Sequence, residues 1–241
     1  MTPETDQGPR SQADPRGYVI CSAPRAGSTF LCEVLTSTGV LGRPEDYFNG
    51  SGRRSSGRPD YPSDPGLQMR EILASGSTPN GIYGFKIFPR RADIAAATSW
   101  PRALPNLGFV HLERADLLGQ ALSLFRARRT RQFRSDQPSG RAVRYDRALV
   151  ESLLREIIVD QARWRLHFAR AGIAAVHLVY EDVARDPQSA VDAVATLMGL
   201  LEAAVYRSSR IRLEVQRDDQ IAEWRERFLS EKSGREIVGQ L

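Results

Sequence analysis

Apolar positions along this chain fall in short blocks, and the character of each block changes from run to periodic stripe and back. Tyr18 to Ser22 is a compact apolar run of buried-strand type. Directly after it, Phe30, Leu31, Val34 and Leu35 share one helical face, which predicts a helix over 27–38 stopped by Gly39. Periodicity then vanishes in residues 49–66, NGSGRRSSGRPDYPSDPG, whose Gly, Ser, Pro and Arg content predicts a long loop. A short helix near 67–74 follows, then a strand over 82–88 carrying Lys86 and a third strand over 107–112. Asp116 is placed to cap a helix running through Leu117, Gln120 and Leu124.

The strongest helical stripe is 148–171, where Leu149, Val150, Leu153, Leu154, Ile157, Ile158, Trp164 and Phe168 recur at helical spacing and Gly172 supplies the stop. A fourth strand is expected over 174–180, a helix from Pro187 to Met198, and a final amphipathic helix over 220–228. Strands alternating with helices predict an α/β fold with a parallel sheet covered on both faces. In such folds ligands bind beyond the carboxyl ends of the strands.

Composition narrows the picture. With 241 residues, the chain fits one domain, expected over 17–241 after a polar tail at 1–16. No apolar run reaches the length of about 18 residues needed to cross a bilayer. The two cysteines, Cys21 and Cys32, make neither a disulfide framework nor a metal-ligand set, which fits a reducing, cytoplasmic setting. The net charge of +5 is carried almost wholly by arginine, since Lys86 and Lys232 are the only lysines. Arg126, Arg128, Arg129, Arg131 and Arg134 crowd one segment, either as a solvated face or as partners for phosphate, sulfate or carboxylate. A nucleic-acid binder is the non-enzymatic alternative, but only Phe125 and Phe133 interleave with these arginines.

The segment that carries chemistry is CSAPRAGSTF, residues 21–30. A strand turning through Gly, Ser and Thr into a helix is an anion cradle, because backbone N–H groups and the helix N-terminus point at the ligand. A nucleotide-hydrolysing Walker loop would need an earlier glycine and a lysine. Neither is present, which makes a P-loop kinase the weaker enzymatic alternative. A second basic point lies in HLERADLLGQALS, with Arg114 at a strand end and Ser123 on the following helix. Tyr180 opens YEDVARDP at the end of the fourth strand. Two anion sites and a nearby aromatic suit a nucleotide phosphorylated at both its 5′ and 3′ positions, namely 3′-phosphoadenosine 5′-phosphosulfate (PAPS).

With these motifs in order, the chain resembles the sulfotransferases, and among them the bacterial carbohydrate sulfotransferases. The Arg-x-Gly-Ser-Thr loop is followed by GVLGRPEDYF (39–48), GIYGFK (81–86), ERADLLGQALS (113–123) and a late Gln216-Arg-Asp218 before Trp224. The resemblance implies a three-layer α/β/α, P-loop-like sulfotransferase fold with a central, mostly parallel sheet. It implies PAPS as cosubstrate, 3′-phosphoadenosine 5′-phosphate (PAP) as product, no metal, a small hydroxyl acceptor such as a carbohydrate or glycosylated metabolite, and a homodimer as the family's assembly. Arg25, Ala26, Gly27, Ser28 and Thr29 match the 5′-phosphosulfate loop, Arg114 and Ser123 the 3′-phosphate pair, and Tyr180 the adenine-side tyrosine. Gln216 and Asp218 match a segment that closes over the nucleotide, although Val215 and Arg217 depart from the family pattern.

Sulfuryl transfer needs in-line geometry, stabilised charge and a base for the acceptor hydroxyl. The resemblance puts that base at Asp46 of GRPEDYF, one methylene shorter than the family's glutamate, with neighbouring Glu45 as the alternative. Lys86 is the lone charge in an apolar strand, and an unpaired ammonium is costly to bury. Its partner is either a structural carboxylate or, as the resemblance implies, the transferring sulfuryl group or departing phosphate oxygen. His111 reads as a satisfied core histidine, and His167 and His177 have no carboxylate or cysteine at ligand spacing along the chain, so no catalytic metal is expected.

Overall fold

The computed structural model describes residues 14–49, 62–96, 99–132, 143–200, 202–211 and 219–231. Among these the elements are β1 (Arg16–Ser22), α1 (Ser28–Ser37), α2 (Pro65–Ser75), β2 (Ile82–Ile87), α3 (Pro89–Ala95), α4 (Trp100–Ala103) and β3 (Leu107–Glu113). There follow α5 (Leu117–Thr130), α6 (Arg147–Ala171), β4 (Val176–Val179), α7 (Tyr180–Arg185), α8 (Pro187–Leu197), a 3₁₀ turn (Ser208–Arg210) and α9 (Asp219–Ser230).

The four strands form a parallel sheet in the order β2-β1-β3-β4. Side chains alternate across it. Tyr18, Ile20, Ile82, Val110 and Leu112 pack on one face with α1 and α8, while Val19, Cys21, Tyr83, Phe85, Ile87 and Phe109 pack on the other with Trp164 and Phe168 of α6. Both faces are thus covered, which is why β1 reads as an apolar run and β2 as one interrupted only by Lys86. A third cluster joins Ala23, just past β1, to Leu122 and Phe125 of α5, Leu153 and Ile157 of α6, and Trp224 of α9. It buttresses the carboxyl end of the sheet, where the candidate site lies.

The helix signals act as read. Asp116 accepts from the Gly119 N–H at 2.9 Å, and Gly172 ends α6 at φ 62°. Pro187 stands at the first helical position, where its missing N–H costs nothing. Three details differ. β4 is shorter than expected, and Tyr180 opens α7 rather than closing the strand. Pro89 and Pro101 start two helices, α3 and α4, too short to show periodicity. Arg16 belongs to β1 rather than to the expected tail, of which residues 1–13 lie outside the described residues. Among the described residues no helix is long and apolar enough to cross a membrane.

Candidate active site

The loop after β1 is held from behind. Trp164 Nε1 donates to the Ser22 carbonyl at 3.1 Å, and Gln120 Nε2 donates to the Pro24 carbonyl at 2.8 Å. These anchors turn carbonyl groups into the protein. They also fix Arg25 in the left-handed region at φ 64°, a conformation that costs a non-glycine residue about 1–2 kcal/mol. Gly27 follows at φ 88°, and a Cβ there would lie 2.0 Å from the Tyr180 ring. Only glycine allows that aromatic to close on the loop.

Gly27 is also the N-cap of α1 and offers no side-chain acceptor to the first turn, which contains no acidic residue. The positive end of a ten-residue helix therefore faces the loop without an acidic neighbour in its own first turn. Ala26 and Ser28 are buried beneath the loop and Thr29 is half-buried. Arg25 Nε donates to Ser123 Oγ of α5 at 3.0 Å. The two motifs expected to bind anions, separate in sequence, are thus directly bonded in space.

Arg114 leaves β3 with its guanidinium 5.3 Å from the Tyr180 ring centroid. It lies 3.6 Å from Asp116 and 3.7 Å from Glu181. Glu181 in turn accepts from the Ala115 and Asp116 N–H groups at 3.0 and 3.2 Å, and Asp116 is bonded by Arg225 of α9. Burial pushes Asp116 up, but the hydrogen bonds from Arg225 and the Gly119 N–H outweigh it and hold the carboxyl below the usual aspartate range. The Arg25 guanidinium is lowered by burial and then by the positive charges of Arg114 and Arg126. Arg126 is therefore part of this cationic cluster. The sequence placed it only in an arginine-rich stretch, because helical periodicity does not say which arginine turns toward the loop.

On the other side of β1, Lys86 is nine-tenths buried and Nζ donates to Thr29 Oγ1 at 2.9 Å. A lysine absent from the loop thus reaches the helix start from β2. The GRPED segment is tied to the same strand, since the Lys86 N–H donates to the Glu45 carbonyl at 2.9 Å. Asp46 follows, and its Oδ1 is shielded from solvent without a hydrogen bond. Burial raises the Asp46 carboxyl, and the neighbouring charges of Lys86 and Arg91 only partly oppose it. Such a carboxylate is a better proton acceptor than an exposed one. Glu45 is half-buried beside it.

The Stf0 sulphotransferase family model matches residues 17–231, most of the chain. The chain belongs to the Stf0 sulphotransferase family. The trehalose 2-sulfotransferase of Mycobacterium tuberculosis (strain Erdman) is 26% identical over 257 residues, covering 90% of this chain and 95% of that protein. The Mycolicibacterium smegmatis trehalose 2-sulfotransferase is 23% identical over 259 residues, covering 89% and 94%. A solved sulfotransferase domain, from the Synechococcus PCC 7002 olefin synthase, aligns over 93% of this chain and 98% of that domain with a TM-score of 0.46 and 15% identity.

As a sulfotransferase, the protein is an enzyme that transfers sulfuryl groups. Of its expected site residues, Arg25, Ala26, Gly27, Ser28, Thr29, Arg114, Ser123 and Tyr180 gather at one end of the sheet, with Lys86 bonded to Thr29 and Asp46 electrostatically coupled to Lys86. Gln216 and Asp218 lie outside the described residues. Lys86 donates to the Thr29 hydroxyl, and the Asp46 carboxyl lies near enough to feel its charge. Sequence reasoning named Arg126 only within an arginine-rich stretch and missed Glu181 and Arg225, whose contacts join distant segments. His111 is buried as expected, but its Nε2 has no hydrogen bond, and His177 finds a carboxylate in space, Glu113, that no spacing announced.

Proposed function

We propose that this sulfotransferase moves the sulfuryl group of PAPS to a hydroxyl of a carbohydrate or glycosylated small molecule. The observation that carries this reading is the α1 N-terminus, with no acidic residue in its first turn, lying beside Arg25 and Ser123 and reached by Lys86 through Thr29. Backbone N–H groups at a helix N-terminus flanked by a guanidinium and an ammonium group favour an anion. PAPS supplies two anionic ends, and the residues present fit both. Arg25 to Thr29 receive the 5′-phosphosulfate, Arg114 and Ser123 the 3′-phosphate, and Tyr180 lies on the adenine side.

In the transfer step the acceptor oxygen forms a bond to sulfur as the bond from sulfur to the phosphate oxygen breaks. Asp46 takes the hydroxyl proton, and Lys86 meets the charge that builds on the departing oxygen. Two relatives are named for trehalose, which makes a trehalose-like disaccharide the first acceptor to test. The segment around 216–218 is assigned to closure over the nucleotide on family grounds.

Calorimetric titration with PAPS, PAP and ATP with magnesium is the direct test. Binding of PAPS and PAP with little or none of ATP is expected, and preference for ATP with magnesium would overturn the donor assignment. Mass spectrometry of trehalose and other sugars incubated with PAPS then reads the acceptor as a gain of one sulfate.

A further inference from the structure

On the face of the sheet opposite α1, the far edge holds a group the sulfuryl-transfer chemistry does not use. His111 and Glu113 alternate along β3 and so point to the same side. His177 of β4 stands directly across from His111 in the parallel register. Their ligand atoms all lie within 4.8 Å of one another. His111 Nε2 is 3.8 Å from Glu113 Oε1, and His177 Nε2 is 2.6 Å from Glu113 Oε2.

Two of these atoms are anomalous. His111 and Glu113 are 4% and 7% exposed, yet His111 Nε2 and Glu113 Oε1 face each other without a hydrogen bond. Leaving two buried polar atoms unmatched in one place is costly, and natural interiors avoid it. A gap of 3.8 Å is too long for a hydrogen bond, but it is near the separation of roughly 3.4 Å between adjacent tetrahedral ligands of zinc. His177, with a half-exposed side chain, leaves a path from solvent.

We propose that His111, Glu113 and His177 form a binding site for a divalent transition metal of the zinc type, with water completing its coordination. Two imidazoles and one carboxylate suit zinc and its neighbours better than magnesium or calcium, which prefer all-oxygen sites. The ion would tie the four-residue edge strand β4 to β3 and satisfy both unmatched atoms. Arg165 opposes it, because its guanidinium lies 2.9 Å from Glu113 Oε2. That side chain is 67% exposed and can withdraw into solvent. The site goes beyond the sulfotransferase reading and does not depend on it.

The test uses the full chain without an affinity tag. Zinc titration by calorimetry should show one saturable equivalent, cobalt should give the visible bands of a bound, low-coordinate ion, and the thermal midpoint should rise with zinc and fall back on chelation. His177→Ala should weaken zinc binding at least tenfold and cancel the thermal shift while leaving PAP binding unchanged. Arg165→Ala should tighten zinc binding by removing the competing cation. Absence of a saturable equivalent, zinc binding indifferent to His177→Ala, or binding not tightened by Arg165→Ala would each overturn the site.

Discussion

Lys86 and Arg114 stand at the carboxyl ends of β2 and β3, the two strands that flank β1, and their surroundings differ in kind. Arg114 is held between Asp116 and Glu181, and those carboxylates are themselves anchored by backbone N–H groups and Arg225. Lys86 has a hydroxyl for its hydrogen-bond partner, and the nearby Asp46 carboxyl carries an oxygen with no hydrogen bond at all. On the β3 side two carboxylates offset the charge before a ligand arrives, while Arg114 Nε keeps its hydrogen bond to give. On the β2 side Lys86 and Asp46 act on each other only through their charges, with no hydrogen bond to Asp46 Oδ1. A group that only holds a phosphate gains from being locked in place, whereas groups that must move a proton or meet a developing charge need spare capacity. On the function proposed above, the two strand ends thus divide into grip and chemistry.

The sharpest way to break this division is Asp46→Asn. Loss of a general base lowers turnover by about 100-fold or more, while PAP binding measured by calorimetry should stay near wild type. Stability should move the opposite way. Burial raises the folded-state pKa of Asp46 above its unfolded value, so its ionised form opposes folding, and stability falls as pH rises through that interval. The Asn variant should therefore melt higher than wild type at neutral pH, and the gap should close below the ordinary aspartate range. For the same reason kcat/KM of the wild type should rise with pH through a limb displaced above that range. An Asn variant that is fully active while Glu45→Gln is inert would move the chemistry to the neighbouring residue.

Arg114→Ala probes the other side and should act on binding. A hydrogen bond to a charged group contributes about 1.5–3 kcal/mol, so PAP affinity should fall by roughly 10- to 100-fold. Turnover at saturating PAPS should change little. A variant that binds PAP normally but turns over slowly would erase the distinction between the two strand ends.

How much of this contrast could be read from the residues alone follows from how local each contact is. The loop, the Asp116 cap, the stop at Gly172 and the start at Pro187 depend on neighbours within one turn, so their residue types suffice. Lys86 stood out because a charge in an apolar strand is conspicuous. The closure of Tyr180 over Gly27, the carboxylate frame around Arg114 and the inward turn of Arg126 join segments far apart in the chain. No spacing rule encodes them. The pairing of His177 with Glu113 is similar, since it requires the register of β3 against β4, which is settled only when the sheet assembles.

The smallest expected effect comes from Glu181→Gln, and its sign is what matters. Glu181 does two things: it accepts from the Ala115 and Asp116 N–H groups, and it places negative charge 3.7 Å from Arg114. An amide keeps one accepting oxygen and removes the charge. If the frame merely neutralises Arg114 in the absence of nucleotide, the phosphate loses a competitor and PAP should bind a few-fold tighter, with the gain shrinking as salt screens it. If Glu181 instead sets the direction in which Arg114 points, the substitution lets the guanidinium wander and binding weakens at every salt concentration. Calorimetry at low and high ionic strength separates the two. Charge matching at the β3 end predicts the first outcome, because the 3.7 Å separation is long for a positioning hydrogen bond yet short for an electrostatic competitor.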